Sequence, residues 1–184
     1  MVDLVLIETM SYIAGALGVC VASIFYILNL RMSQRNMKLT LDLRKGDLIQ
    51  KYSSQMSTRD IQAAYHDVVW AQDFSNYREW TEKYGPQHNA EAYQNFVMLT
   101  NLVNSWGLLY DENLFDLETL EKLSSKLAIM VIWRKVKPVI KEWRIQYGDP
   151  SFMLPMEHYA EAVSKRNPEI YLKMQTLLSS PPSQ

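Results

Sequence analysis

Residues 9–30 read TMSYIAGALGVCVASIFYILNL, 22 consecutive positions without a charged side chain. As an α-helix the stretch is about 33 Å long, enough to cross a hydrocarbon core of about 30 Å. The core helix of a globular domain is usually shorter, and it rarely ends in a cationic cluster such as Arg31, Arg35 and Lys38. The stretch therefore reads as a membrane anchor, with Tyr12 and Tyr26 toward the two interfaces. A secretory signal fits less well, because the start is acidic (Asp3, Glu8) and the apolar run continues for eight residues beyond Ala22. Leu17-Gly18-Val19-Cys20 departs from a lipoprotein cleavage box, since Val19 is too large for its position and no basic leader precedes it.

The flanks give an orientation. Lysine and arginine are absent before the span. Residues 31–51 then carry six basic side chains (Arg31, Arg35, Lys38, Arg44, Lys45, Lys51) against Asp42 and Asp47, a net charge of +4. The positive-inside rule places everything after the span in the cytoplasm and the short leader outside. The expected organisation is a leader and anchor over residues 1–30, a basic juxtamembrane helix over 31–52, a cytoplasmic helical domain over 53–178 and a flexible polar tail over 179–184. Gly46 is expected to bend or fray the juxtamembrane helix. The remaining 133 residues hold 13 basic and 16 acidic side chains. A mildly acidic domain lacks the dominant positive field that bulk nucleic-acid binding needs, so no nucleic-acid partner is expected. The lone Cys20 lies inside the apolar run, which leaves no internal disulfide and no cysteine-based zinc site.

Within the span, Ala14, Gly18 and Ala22 recur every four residues, with Ser11 and Gly15 on the adjacent stripe. Small residues at that spacing allow two helix backbones to approach closely, and they mark a surface for self-association or for another membrane chain. Besides fixing topology, Arg31, Arg35 and Lys38 are suited to anionic headgroups.

Beyond the span the apolar periodicity is helical throughout, and no stretch alternates with period two, so an all-α bundle of about five helices without a sheet is expected. Thr58 opens one helix as a cap, with Ile61, Tyr65, Val68 and Val69 on its buried side. A short aromatic helix carries Phe74, Tyr77, Trp80 and Tyr84 and stops at Gly85-Pro86. Ala92, Phe96, Leu99, Val103, Trp106 and Tyr110, spaced four and three apart, form the cleanest seam, and Gly107 is the expected terminator of their helix. The longest helix is expected from Leu117 to Tyr147, capped by Asp116 and kinked at Pro138. Leu120, Leu123, Leu127, Ile129, Met130, Trp133, Val136, Ile140, Trp143 and Tyr147 would face inward along it, and Gly148-Asp149-Pro150 ends it. A helix from Pro155 to Lys165 and a segment from Pro168 to Leu178 complete the domain.

Several segments together resemble a family of bacterial and archaeal proteins grouped as a domain of unknown function. They are Trp133-Arg134-Lys135-Val136-Lys137-Pro138-Val139-Ile140, Arg144, Tyr147-Gly148-Asp149-Pro150, Phe152, Glu157-His158-Tyr159 and the stretch Asn101–Leu109. The resemblance implies one amino-terminal span followed by a cytoplasmic helical domain, and it carries no catalytic residues.

Candidate chemistry is sparse. His66-Asp67 with Asp73, and Glu157-His158 with Glu161, are the two clusters that hold a neutral-pH base. On a helix His158 points about 100° away from Glu157, which is poor geometry for a shared metal. Arg134, Lys137, Lys141 and Arg144 form a basic stripe beside Trp133 and Trp143 that suits a phosphate-rich ligand, lipid headgroups or an acidic partner. Arg144 is the member expected to be partly buried in an ion pair. No glycine-rich phosphate loop, nucleophile elbow or cysteine–histidine pair is present, and no cofactor or metal is expected. The expected function is a membrane-tethered, non-enzymatic scaffold or accessory subunit of a membrane complex. The alternative is a membrane-bound enzyme or sensor that binds an anionic ligand through the basic stripe.

Overall fold

Helical hydrogen bonding begins at Leu4 and runs unbroken to Met56 (α1) in a computed structural model that describes residues 4–179, with side chains placed from residue 6 to residue 173. The start of the expected leader and the tail from residue 180 onward lie outside the described residues. The chain divides into two compact units, with the boundary between Leu48 and Ile49.

The first unit is the greater part of α1. Its most apolar eighteen-residue window has a mean hydropathy of 2.1, and none of that window is buried. One helix is thus long and apolar enough to cross a membrane. It is not amphipathic: Leu17, Val19, Val21, Phe25 and Tyr26 are all exposed around its circumference. The helix is not interrupted at Gly46. With both of its sides open, the glycine keeps helical hydrogen bonds that its neighbours impose.

The second unit is all-helical among the described residues, as the periodicity required. After the last turns of α1 it contains α2 (Arg59–His66), a π-helical turn (Asp67–Ala71), α3 (Tyr77–Tyr84) and α4 (Ala90–Asp111). Then come α5 (Leu117–Leu123), α6 (Lys126–Tyr147), α7 (Leu154–Arg166) and α8 (Pro168–Ser179). The starts are set by side-chain caps. Thr58, Asn76, Asn89, Asp116 and Ser125 each accept a hydrogen bond from the backbone N–H three residues on, which satisfies a donor that the helix leaves orphaned.

The expected long fourth helix is two helices. Ser124 adopts extended backbone angles between α5 and α6, and its hydroxyl is buried against the Tyr159 hydroxyl at 3.0 Å. Ser125 then caps α6. Two adjacent serines thus offer a local alternative to continued helix, one to a tertiary partner and one to the backbone. The break rotates Leu127 to the surface, where it is exposed, while Ile129, Met130, Trp133, Val136, Ile140 and Trp143 fill the core. Tyr147, expected inward, is also exposed, because it is the last residue before the left-handed Gly148 that ends α6. Helix α6 continues through Pro138, which has no N–H to offer the carbonyl of Arg134.

Gly107 does not terminate α4, which runs four residues further and includes Tyr110. It marks instead the place where α4 and α7 touch. A Cβ on Gly107 would collide with the backbone of Pro155 and Met156. The core lies around this crossing, with Phe96, Leu99, Val103 and Trp106 of α4 and Met156, Tyr159, Ala160 and Val163 of α7 all buried.

Candidate functional site

The basic stripe on α6 separates into two kinds of residue. The Arg144 guanidinium lies between α6 and α7, with a side chain 13% exposed. Its Nη1 donates to Glu157 Oε2 at 2.6 Å and its Nε donates to the Phe152 carbonyl at 2.8 Å. Arg144 thereby ties the end of α6 both to the turn before α7 and to α7 itself. Its Nη2 is buried without an acceptor. Lys137 approaches the other oxygen of Glu157 at 3.9 Å and lies over the Trp133 ring. Glu157 is thus the shared counter-ion of the two cations. Arg134 and Lys141 are exposed.

The aromatic residues pack around the same region. Trp143 meets Trp80, Phe96 and Phe152 edge to face, with ring centroids 5.6, 5.7 and 6.0 Å apart. This cluster holds α3, α4 and α6 together, and it fixes the α6 face from which Arg144 extends.

The histidine clusters do not converge. Asp67 Oδ2 accepts hydrogen bonds from Gln72 Nε2 and Asn95 Nδ2, both at 3.0 Å, while His66 and Asp73 face solvent. Gln72, almost completely buried, also donates to the Ala92 carbonyl and accepts from Trp80 Nε1. This network pins the π-helical turn to α3 and α4. It escaped the sequence reading, because a glutamine next to Asp73 looks like part of a polar surface loop. In the second cluster Glu157 faces Arg144 and Glu161 lies 4.0 Å from Lys165. His158 Nδ1 sits 3.0 Å from Asp111 Oδ2 on α4. Among the described residues no three His, Cys, Asp or Glu side chains come together as a metal site would require.

Two of the concavities in the domain adjoin these residues. An apolar cavity of about 290 Å³ is lined by Ile61, Leu99, Val103, Trp106, Ile129 and Ile132, and the Trp106 Nε1 is buried there without an acceptor. A more polar notch of about 410 Å³ lies between the π-helical turn and α6, lined in part by Trp70, Phe74, Arg134, Lys135 and Pro138. Trp70 is 64% exposed at its edge. Lys135 lies half-buried over the Phe74 ring, 4.7 Å from its centroid, and that burial holds its ammonium pKa below the usual lysine range. Neither Arg134 nor Lys135 is in ion-pair contact with a carboxylate among the described residues. The nearby Glu79 is already engaged. Lys83 beside it, together with the N–H and hydroxyl of Ser75, holds its carboxyl down at about 2.

On α1, Ser11, Ala14, Gly15, Gly18 and Ala22 are all exposed, and a Cβ on Gly15 or Gly18 would meet open space. The Ser11 hydroxyl donates back to the Ile7 carbonyl within the helix. Arg31, Arg35 and Lys38 are exposed as well.

Comparison with known proteins gives a family and no activity. No curated protein and no solved structure matches the chain. A family model described as Domain of unknown function (DUF4760) matches residues 13–163, a range that takes in most of the apolar stretch of α1, the Arg144–Glu157 tie and the notch. By that match the chain belongs to the DUF4760 family.

Proposed function

We propose that this protein is a membrane-tethered interaction module, a scaffold or accessory subunit of a membrane complex. Its α1 would be a single span in the cell membrane, with the amino terminus outside and the helical domain in the cytoplasm. The observation that carries the reading is the complete exposure of the apolar window of α1. An uncovered apolar helix of this length is stable where lipid or other apolar helices surround it. The charge asymmetry supports the orientation, with Arg31, Arg35 and Lys38 on the cytoplasmic side within reach of anionic headgroups.

The span's partner surface is the stripe of Ala14, Gly18 and Ala22 with Ser11 and Gly15, open on the glycine side. The domain contributes a second surface, held rigid by the α4–α7 crossing and by the tie from Arg144 to Glu157. Extraction of the full chain into polymer-bounded lipid discs, followed by mass measurement and identification of co-purifying chains, tests the reading. A defined assembly that Gly18→Leu disperses supports it, and a monomer without partners overturns it.

The alternative, recognition of an anionic ligand through the basic stripe, draws on Arg134. This cation is exposed and has no carboxylate in ion-pair contact among the described residues, whereas Lys137 and Arg144 share Glu157.

A further inference from the structure

Three features distinguish the notch between the π-helical turn and α6. The first is Trp70. A large indole left mostly in water gains little from burial, yet here it forms one wall of a concavity. The second is Lys135. Its ammonium is partly desolvated over Phe74 with no carboxylate in ion-pair contact among the described residues, so the longer-range pull of Asp73 and Glu79 offsets that desolvation only in part. The third is the backbone. The chain departs from α-helix at Asp67–Ala71, and the Asp67–Gln72–Asn95 hydrogen bonds hold that departure in place. Single π-helical turns recur at functional sites, because they re-aim side chains that a regular helix would space differently.

Arg134 completes the arrangement from α6, as a second cation on the same notch without an ion pair among the described residues. Of the two acids whose charge reaches Lys135, Asp73 lies outside ion-pair distance and Glu79 is engaged by Lys83 at 2.7 Å and by Ser75.

We propose that this notch binds a small aromatic oxyanion, a carboxylate or phosphate carried on a planar body, with the planar body against Trp70 and the oxyanion between Arg134 and Lys135. Guanidinium and ammonium donors give charge-assisted hydrogen bonds to such a group. The indole, together with the apolar walls at Phe74 and Pro138, provides the stacking surface. A lipid surface is the weaker match. The site is concave, and the chain from residue 52 onward has a net charge of -3, so long-range attraction to an anionic bilayer is lacking. This site does not depend on the tether reading, and it stands or falls separately.

The test is a titration of the full chain, held in phosphatidylcholine discs, with phenyl phosphate. Tryptophan emission and calorimetry are read in parallel. A saturable response is expected. It should weaken about tenfold or more in Arg134→Gln and in Lys135→Met, the loss of one charge-assisted contact. Trp70→Phe should lose the emission change and bind more weakly by calorimetry. Arg134 and Trp70 are exposed, so their variants decide the matter if Lys135→Met misfolds. The proposal is overturned by the absence of a saturable response, or by equal binding of neutral benzyl alcohol or of inorganic phosphate. It is equally overturned by a response that appears only when phosphatidylserine is added to the discs.

Discussion

Gly107 on α4 lies directly against the backbone carbonyl of Pro155 at the start of α7, so closely that a methyl group at Gly107 has no room. The obstacle is the backbone of α7 at Pro155 and Met156, so no side-chain rotation relieves it. Gly107→Ala is expected to push the two helices apart and to destabilise the domain by about 3 kcal/mol, the upper range for overpacking a core. Thermal unfolding of the full chain in a neutral detergent, followed by tryptophan fluorescence, measures it. An unchanged midpoint would show that the crossing is looser than its geometry.

Glu157 balances two cations unequally. Arg144 and Glu157 are 13% and 15% exposed and 2.6 Å apart, whereas Lys137 is 38% exposed and 3.9 Å away. Glu157→Ala leaves the Arg144 charge buried with no counter-ion, and should cost about 3 kcal/mol. Lys137→Met should cost less than about 1 kcal/mol, as a half-exposed pair would. Denaturant unfolding of the two variants side by side separates these outcomes, and equal losses would contradict the assigned roles.

Tyr159 is buried on α7, and burial pushes its phenol up to about 12 even though the hydrogen bond with Ser124 acts in the other direction. The unfolded chain ionises this group near its ordinary value of 10.0, while the folded chain retains the proton until about 12. Folding stability is therefore unaffected by Tyr159 below pH 10 and falls between about 10 and 12, as the unfolded state alone releases its proton. Tyr159→Phe removes this part of the alkaline loss, so the stability difference between the two proteins should change over that window and be constant below it. Unfolding curves at closely spaced pH values supply the comparison.

Topology is open to chemical labelling, because the chain has a single natural cysteine, Cys20, within the apolar stretch. In a Cys20→Ser background, Glu8→Cys should react with a membrane-impermeant maleimide on intact cells. Ser53→Cys should react only after the membrane is permeabilised. Labelling of both before permeabilisation would remove the span from the description.

Much of the fold could be read from residues in order. The uncharged run from Thr9 to Leu30, the caps at Thr58 and Asp116 and the stop at Gly148 act within a turn of themselves. Their consequences are set by backbone geometry and solvation, whatever lies opposite. The seams of α4 and α6 were equally legible, since a repeat of three and four residues makes one helix face apolar.

What could not be read is whatever depends on the neighbour across the gap. Gly107 looked like a helix stop, because glycine is a common terminator, but its lack of a side chain is used by Pro155 of α7. Ser124 and Ser125 looked like ordinary helix residues until Tyr159 supplied a buried partner for one and the chain used the other as a cap. An ion pair was foreseeable for Arg144 but its counter-ion was not, and Trp70, Arg134 and Lys135 share a notch across more than sixty positions of sequence. Local chemistry thus wrote the helices and the apolar span into the chain. The cavities, the ion-pair partners and the close crossing of α4 and α7 came from packing, where the energy of each side chain is set by atoms distant in sequence.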